Sequence, residues 1–190
     1  MNITIKITKG KDLTKKEWEL MDKERQKQYS PTTNLFDRKH HANSNFFLIK
    51  DNKDIVAWGF LRPVVMTYKK KKYEIFAMGG IMVVEKEKGK RLGTILIKSM
   101  IEFSKKTEKT ILGFTGNDTA KFYKKVGLSV AKDFSIRLEM ENPKTKERIP
   151  DVDGACPGIY FEGKDNFITN VSRAKGIATY WMPDIKEPHF

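Results

Sequence analysis

"EKEKGKRLGTILI", residues 85–97, runs from alternating charge through two glycines into an apolar stretch spaced like the first turns of a helix. It reads either as a solvated basic turn or as a loop built to hold a phosphate. The preceding "AMGGIMVV", residues 77–84, reads as a strand, so the local order is strand, glycine-bearing loop, helix. That order recurs at anion sites, because the free N–H groups and the positive end of the helix macrodipole converge on one point. Nothing after Gly93 supplies the Gly-Lys-Ser/Thr of a Walker loop, and the Gly-x-Gly of a dinucleotide fold is missing, which argues against ATP and NAD.

Upstream, "NITIKI" (2–7) alternates with period two, and "TKKEWELMDKERQKQY" (14–29) places Trp18, Met21 and Arg25 at helical spacing behind a Thr14/Glu17 capping box. "SPTTNLFDRKHHANSN" (30–45) reads as a loop with a short helix. "FFLIKD", "DIVAWGFLRPVVMTY" and "YEIFAMGGIMVV" form an antiparallel meander, its lysine-rich "KKKK" (69–72) an exposed hairpin tip. Downstream, the helix from Gly93 buries Leu96, Ile97, Met100, Ile101 and Phe103 and turns Lys98, Glu102, Lys105 and Lys106 outward. "TILGFTG" (110–116) is then a buried strand, "TAKFYKKV" a helix stopped by Gly127, and "FSIRLEMEN" another strand. "GIYFEG", "NFITNV" and "ATYWMP" are short strand candidates in a less regular tail. The string implies an α+β fold: a mixed, mainly antiparallel sheet flanked by helices on both faces, with a C-terminal extension.

A chain of 190 residues with 39% hydrophobic content suits one core. No apolar run reaches the roughly 20 residues of a membrane span, and the N-terminus lacks a signal-peptide core, so a soluble, cytoplasmic protein is expected. Cys156 is the single cysteine, and no His/Cys cluster offers a metal site, so no metal is expected. The net charge of +13 makes an anionic partner plausible without choosing one. With 30 Lys against 7 Arg, the bidentate contacts of a nucleic-acid reader are poorly provided, and nucleic acid is not the favoured partner.

"VVEKEKGKRLGTILI" (83–97) resembles the coenzyme-A pyrophosphate loop of the GNAT N-acetyltransferase superfamily, Arg/Gln-x-x-Gly-x-Gly/Ala between a strand and a helix. Lys88 falls on the Arg/Gln position, Arg91 on the first Gly and Gly93 on the last, so two of three positions depart from the pattern. "ILGFTGNDTAKFYKKVGL" (111–128) resembles the family's later segment, with Asn117, Ala120, Phe122, Tyr123 and Gly127 in place and Leu128 for an aromatic. The resemblance covers roughly residues 1 to 140. It implies a GNAT-like catalytic core over 1–140, an extension over 141–190, and transfer of acetyl from acetyl-CoA directly to a primary amine. A small or aminoglycoside-like amine is favoured as acceptor, with a protein N-terminus or lysine as alternative, in a monomer or homodimer. A basic nucleic-acid-binding module is the rival from another class.

By the same resemblance, main-chain groups of Ile81 and Val83 pair with the pantetheine arm, where the plain alternative is an ordinary central strand. Backbone N–H groups of Gly89, Lys90, Arg91, Leu92, Gly93 and Thr94 hold the pyrophosphate with Lys88, Lys90 or Arg91, the alternative for the lysines being a solvated turn. Asn117 bonds the pantetheine amides or caps a helix. Tyr123 is the acid that protonates the leaving thiolate, or a core tyrosine beside Phe122 and Val126. The base is left open: the family's strand glutamate falls on Ala77, and Glu74, Asp37, His40, His41 and the Phe190 carboxylate are the candidates. Asp37, Glu74, Asp151, Asp153 and Glu162 would serve a polycationic acceptor if they converge.

Overall fold

The computed structural model describes residues 2–32, 34–150, 156–174 and 176–182. Phe190, Asp151 and Asp153, singled out above, lie outside them. The chain divides into two compact units, Met1–Arg62 with Gly79–Met100, and Pro63–Met78 with Ile101–Phe190.

In the first unit, strand β1 (Ile3–Lys9) pairs antiparallel with β2 (Asn45–Asp51), and β2 with the first part of β3 (Asp54–Tyr68). Helix α1 (Lys15–Gln28) begins where sequence placed it. Thr14 Oγ1 accepts the Glu17 N–H at 3.2 Å and Glu17 Oε2 accepts the Thr14 N–H at 3.0 Å, a capping box that contributes about 1 kcal/mol. Its apolar face sets Trp18 and Met21 into a core with Phe36, Phe46, Trp58 and Met82. Asp22 Oδ1 accepts the Phe36 N–H at 2.8 Å and Arg25 lies over the Phe36 ring, tying the 30–45 loop to α1. That loop forms turns over residues 38–43 and no helix among its described residues. Its polar groups bond to neighbours instead, with the Gly10 N–H on the Ser44 carbonyl and the Lys11 N–H on the Ala42 carbonyl.

Strand β4 (Lys71–Val83) follows β3 through Lys69 and Lys70, whose φ values of 47° and 65° make a two-residue type I′ hairpin. Farther along, a Cβ built on either Gly79 or Gly80 would stand 2.7 Å from the Phe60 ring. Consecutive residues facing one ring break the alternation, and Gly80 has φ 61°, so the strand bulges there.

In the second unit the strand order is β6, β9, β5, β4, β3, β10, β7, β8. The ranges are β5 Ile111–Phe114, β6 Ser129–Ala131, β7 Leu138–Glu141, β8 Arg148–Pro150, β9 Gly158–Phe161 and β10 Ala178–Tyr180. β4 with β5 and β10 with β7 are parallel, while β9 lies antiparallel to both β5 and β6, so the sheet is mixed and mainly antiparallel, as expected. Helix α2 (Leu92–Thr107) runs from one unit into the other, and α3 (Asn117–Val126) ends at Gly127, φ 109°, with the Leu128 N–H on the Tyr123 carbonyl. Of "FSIRLEMEN", only Leu138–Glu141 is strand, after a 3-10 turn.

"NFITNV" corrects the strand expectation: Phe167–Arg173 is helix α4. Asp165 Oδ1 accepts the Phe167 N–H at 2.8 Å and Glu162 Oε1 the Thr169 N–H at 2.7 Å, which satisfies first-turn donors that a strand would leave to a partner. Phe167, Ile168 and Val171 then enter a core with Tyr73, Phe134 and Leu138.

Candidate functional site

The stretch from β4 into α2 is anchored by α1. Glu24 Oε1 accepts the Glu85 N–H at 3.1 Å, and Gln28 Nε2 donates to the Val83 carbonyl at 3.0 Å. Burial raises the Glu24 carboxyl pKa, but the Glu85 N–H and Gln28 outweigh it and hold Glu24 below the ordinary carboxylate range. The Val84 N–H bonds to Val56 of β3 at 3.0 Å, so by ladder alternation the main-chain groups of Ile81 and Val83 point to the opposite edge of β4. On that edge the Val83 carbonyl is taken by Gln28.

After a 3-10 turn at Glu85–Glu87, Gly89 has φ 82° and Arg91 φ 61°. The first bond back along α2 runs from the Ile95 N–H to the Arg91 carbonyl at 3.1 Å. The N–H groups of Leu92, Gly93 and Thr94 therefore have no acceptor within the helix, and they point out of its positive end. Arg91, on the family's glycine position, keeps the left-handed backbone that glycine adopts without strain. Lys88 pairs with Glu85 at 2.5 Å and Lys90 with Glu87 at 2.7 Å, so these lysines are committed to carboxylates of their own loop.

Also in the first unit, the histidine loop is packed up to the bulge. The His41 ring lies 4.6 Å from that of Phe60, which covers Gly79 and Gly80. His40 stands beside it, ring to ring at 5.1 Å, its N–H held by Asp37 Oδ1 at 3.1 Å. That backbone N–H bond outweighs the slight burial, which raises the pKa, and holds the Asp37 carboxyl below its ordinary range. Arg62 Nη1 donates to His40 Nε2. Burial, followed by the charges of Arg62 and His40, lowers the His41 pKa to about 3, so His41 is neutral at physiological pH.

In the second unit, Asn117 is the first residue of α3 and is exposed, and Gly116 takes the cap position that was the alternative for Asn117. Tyr123 is buried on the α3 face shared with Ala120 and Val126, whereas Phe122 is exposed instead of joining that face. Glu74 is exposed and lies 2.7 Å from Lys109 Nζ, which holds its carboxyl below the ordinary range. Glu162 spends both oxygens on Thr169. Among the described residues no group of three metal-ligating side chains is found, and no helix is long and apolar enough to cross a membrane.

Residues 11–128 match the model of the Acetyltransferase (GNAT) family. The chain belongs to the GNAT acetyltransferase family. It is thus an acyltransferase dependent on acetyl-CoA. The fold agrees with solved GNAT-like structures at low identity. Escherichia coli ElaA superposes with a TM-score of 0.59 at 15% identity, over 84% of this chain and 99% of that one. An acyl-CoA N-acyltransferase from Pseudomonas aeruginosa does so with 0.57 at 10%, over 83% and 98%. Glucosamine-6-phosphate N-acetyltransferase from Arabidopsis thaliana gives 0.50 at 17%, over 68% and 92%. No curated protein matches the chain.

Sequence reasoning missed Arg62 and the bulge. The signals were a lone arginine inside the apolar run "AWGFLRPVV" and a Gly-Gly pair inside a strand.

Proposed function

We propose that this GNAT protein moves an acetyl group from acetyl-CoA to the primary amine of a small acceptor by direct attack, with no acyl-enzyme. The observation that carries the reading is the α2 entrance, where left-handed Gly89 and Arg91 precede three N–H groups free of helical acceptors. Those features fit a pyrophosphate. Bound there, acetyl-CoA supplies the acetyl group as a thioester.

In the first unit, backbone N–H groups of Gly89, Lys90, Arg91, Leu92, Gly93 and Thr94 hold the pyrophosphate. Arg91 adds the side-chain charge, since Lys88 and Lys90 are engaged by Glu85 and Glu87. The N–H and carbonyl of Ile81 and the N–H of Val83 pair with the pantetheine, and the Val83 carbonyl stays with Gln28. In the second unit, Asn117 bonds the pantetheine amides and Tyr123 gives its hydroxyl proton to the departing sulfur. Glu74, held acidic by Lys109, is a weak base, so His40 is the better acceptor of the amine proton.

Tyr123→Phe tests the assignment of the acid. The expected result is a kcat for thiol release lower by about a hundredfold or more, with acetyl-CoA affinity unchanged. Equal kcat in both proteins removes Tyr123 from the chemistry.

A further inference from the structure

β1 is an edge strand of the first unit: among the described residues it pairs with β2 and with no other strand. The Asn2 carbonyl accepts the Asn52 N–H at 3.2 Å, and the Gly10 N–H donates to the Ser44 carbonyl at 2.9 Å. The register runs between them without a shift, so by antiparallel alternation Thr4, Lys6 and Thr8 spend their main-chain groups on β2. Those of Ile3, Ile5, Ile7 and Lys9 point to the open edge. The same isoleucines form the apolar side of the strand, beside Phe47 and Ile49 of β2, and Ile5 and Ile7 are 42% and 47% exposed. Open edges are normally protected by outward lysines, a proline or a bulge. β1 has no proline and no bulge, and its lysines are drawn onto their own chain. Lys6 Nζ lies 3.0 Å from Glu17 Oε1, and Lys9 Nζ donates to the Asn43 carbonyl at 3.2 Å.

We propose that β1 docks a second copy of this chain, antiparallel, with the two-fold axis at Ile5. The order of residues about Ile5 selects a copy over an unrelated strand. Under that axis Ile5 meets Ile5, Ile3 meets Ile7 and Thr4 meets Lys6, so isoleucine faces isoleucine throughout and no lysine faces a lysine. An axis at Lys6 would set Lys6 on Lys6, and one at Ile7 would set Ile5 on Lys9. The facing isoleucines are also the residues whose N–H and carbonyl groups point outward, so each pair can exchange two ladder bonds. Each copy uses up the other's edge, and assembly closes at the dimer. One strand per partner is small against the roughly 1,600 Å² of a standard interface, so the dimer is a weak one, with a Kd of about 10 μM or higher. The net charge of +13 sets the copies against each other, and salt therefore tightens the dimer by screening that repulsion. β2 and β3 lie between β1 and the end of β4, where Val84 bonds to Val56, so pairing at β1 leaves residues 85–97 open in both copies.

Sedimentation equilibrium of the full chain, from about 1 μM to about 500 μM at low and high salt, reads the association directly. A monomer–dimer equilibrium that tightens with salt is expected. Ile5→Lys, which puts like charges on the axis, should weaken it by about tenfold or more with an unchanged circular dichroism spectrum. The register has its own test. Facing residues of an antiparallel ladder have Cα atoms about 5.5 Å apart, within disulfide reach, so oxidised Ile5→Cys should give a covalent dimer. Ile7→Cys should not, because its two copies stand about 13 Å apart along the strands. Wild-type protein oxidised in parallel corrects for Cys156. A monomer at every concentration overturns the proposal and leaves the edge to a strand from another protein. A dimer that Ile5→Lys leaves intact, one that salt weakens, cross-linking at Ile7 in place of Ile5, or assembly beyond the dimer overturns it as well.

Discussion

A Cβ on Gly80 would stand 2.7 Å from Cε1 of Phe60, and Gly80 holds φ at 61°. The bulge in β4 thus depends on glycine twice, for its left-handed backbone and for the ring that closes over it. Gly80→Ala is expected to lose about 2–4 kcal/mol from the two effects together. Thermal unfolding followed by circular dichroism checks this, with a melting temperature lower by about 5 °C or more. An unchanged value would mean that the ring yields freely.

Arg91 has the opposite relation to its backbone. It sits at φ 61° with a side chain that pays for that conformation, so Arg91→Gly relieves the strain. Because glycine also gains freedom in the unfolded chain, the net gain is expected to be at most about 1 kcal/mol. Denaturant midpoints should rise in the variant, and a fall would show that Arg91 makes stabilising contacts that outweigh its strain.

Asp165 ties the tail to the start of β5. Its carboxylate accepts the Thr110 N–H at 2.9 Å, the Thr110 hydroxyl at 2.6 Å and the Phe167 N–H at 2.8 Å. Asp165→Ala strands a buried hydroxyl and two N–H groups and is expected to cost about 2–3 kcal/mol. Asp165→Asn, which keeps an acceptor, should cost less, and urea unfolding separates the two.

The elements that could be read in advance are those whose signals are local. Thr14 with Glu17 marks the start of α1, Gly127 stops α3, and the β-branched and aromatic apolar runs of β2, β3 and β4 need no distant partner to be recognised. The tail lacked that clarity because its structure comes from pairing at long range. Gly158–Phe161 finds its place between β5 and β6, and "NFITNV" becomes a helix through carboxylates at Glu162 and Asp165 that periodicity does not weigh. At the site, the loop and its glycines were legible. The His40 and Arg62 pairing was not, since 22 positions of chain separate them.

His41 makes the fold sensitive to acid. Its folded pKa is about 3 against 6.5 when free, so above pH 6.5 neither state binds the proton. Below that value the unfolded chain takes it up and the folded one does not, and stability drains by about 1.4 kcal/mol per pH unit until about pH 3. Between pH 7 and pH 5 the wild-type protein should lose about 2 kcal/mol more than His41→Gln, measured by urea midpoints. Equal losses would mean that His41 is protonated in the folded state.

The most direct measurement for the account as a whole is calorimetric titration of the protein with acetyl-CoA at low and high salt. One-to-one binding that largely survives added salt is predicted, because backbone N–H groups of Gly89 to Thr94 carry the contact and screening weakens surface charge far more. Absence of binding, or binding that vanishes with salt, would contradict the account and reduce residues 85–97 to a charged turn.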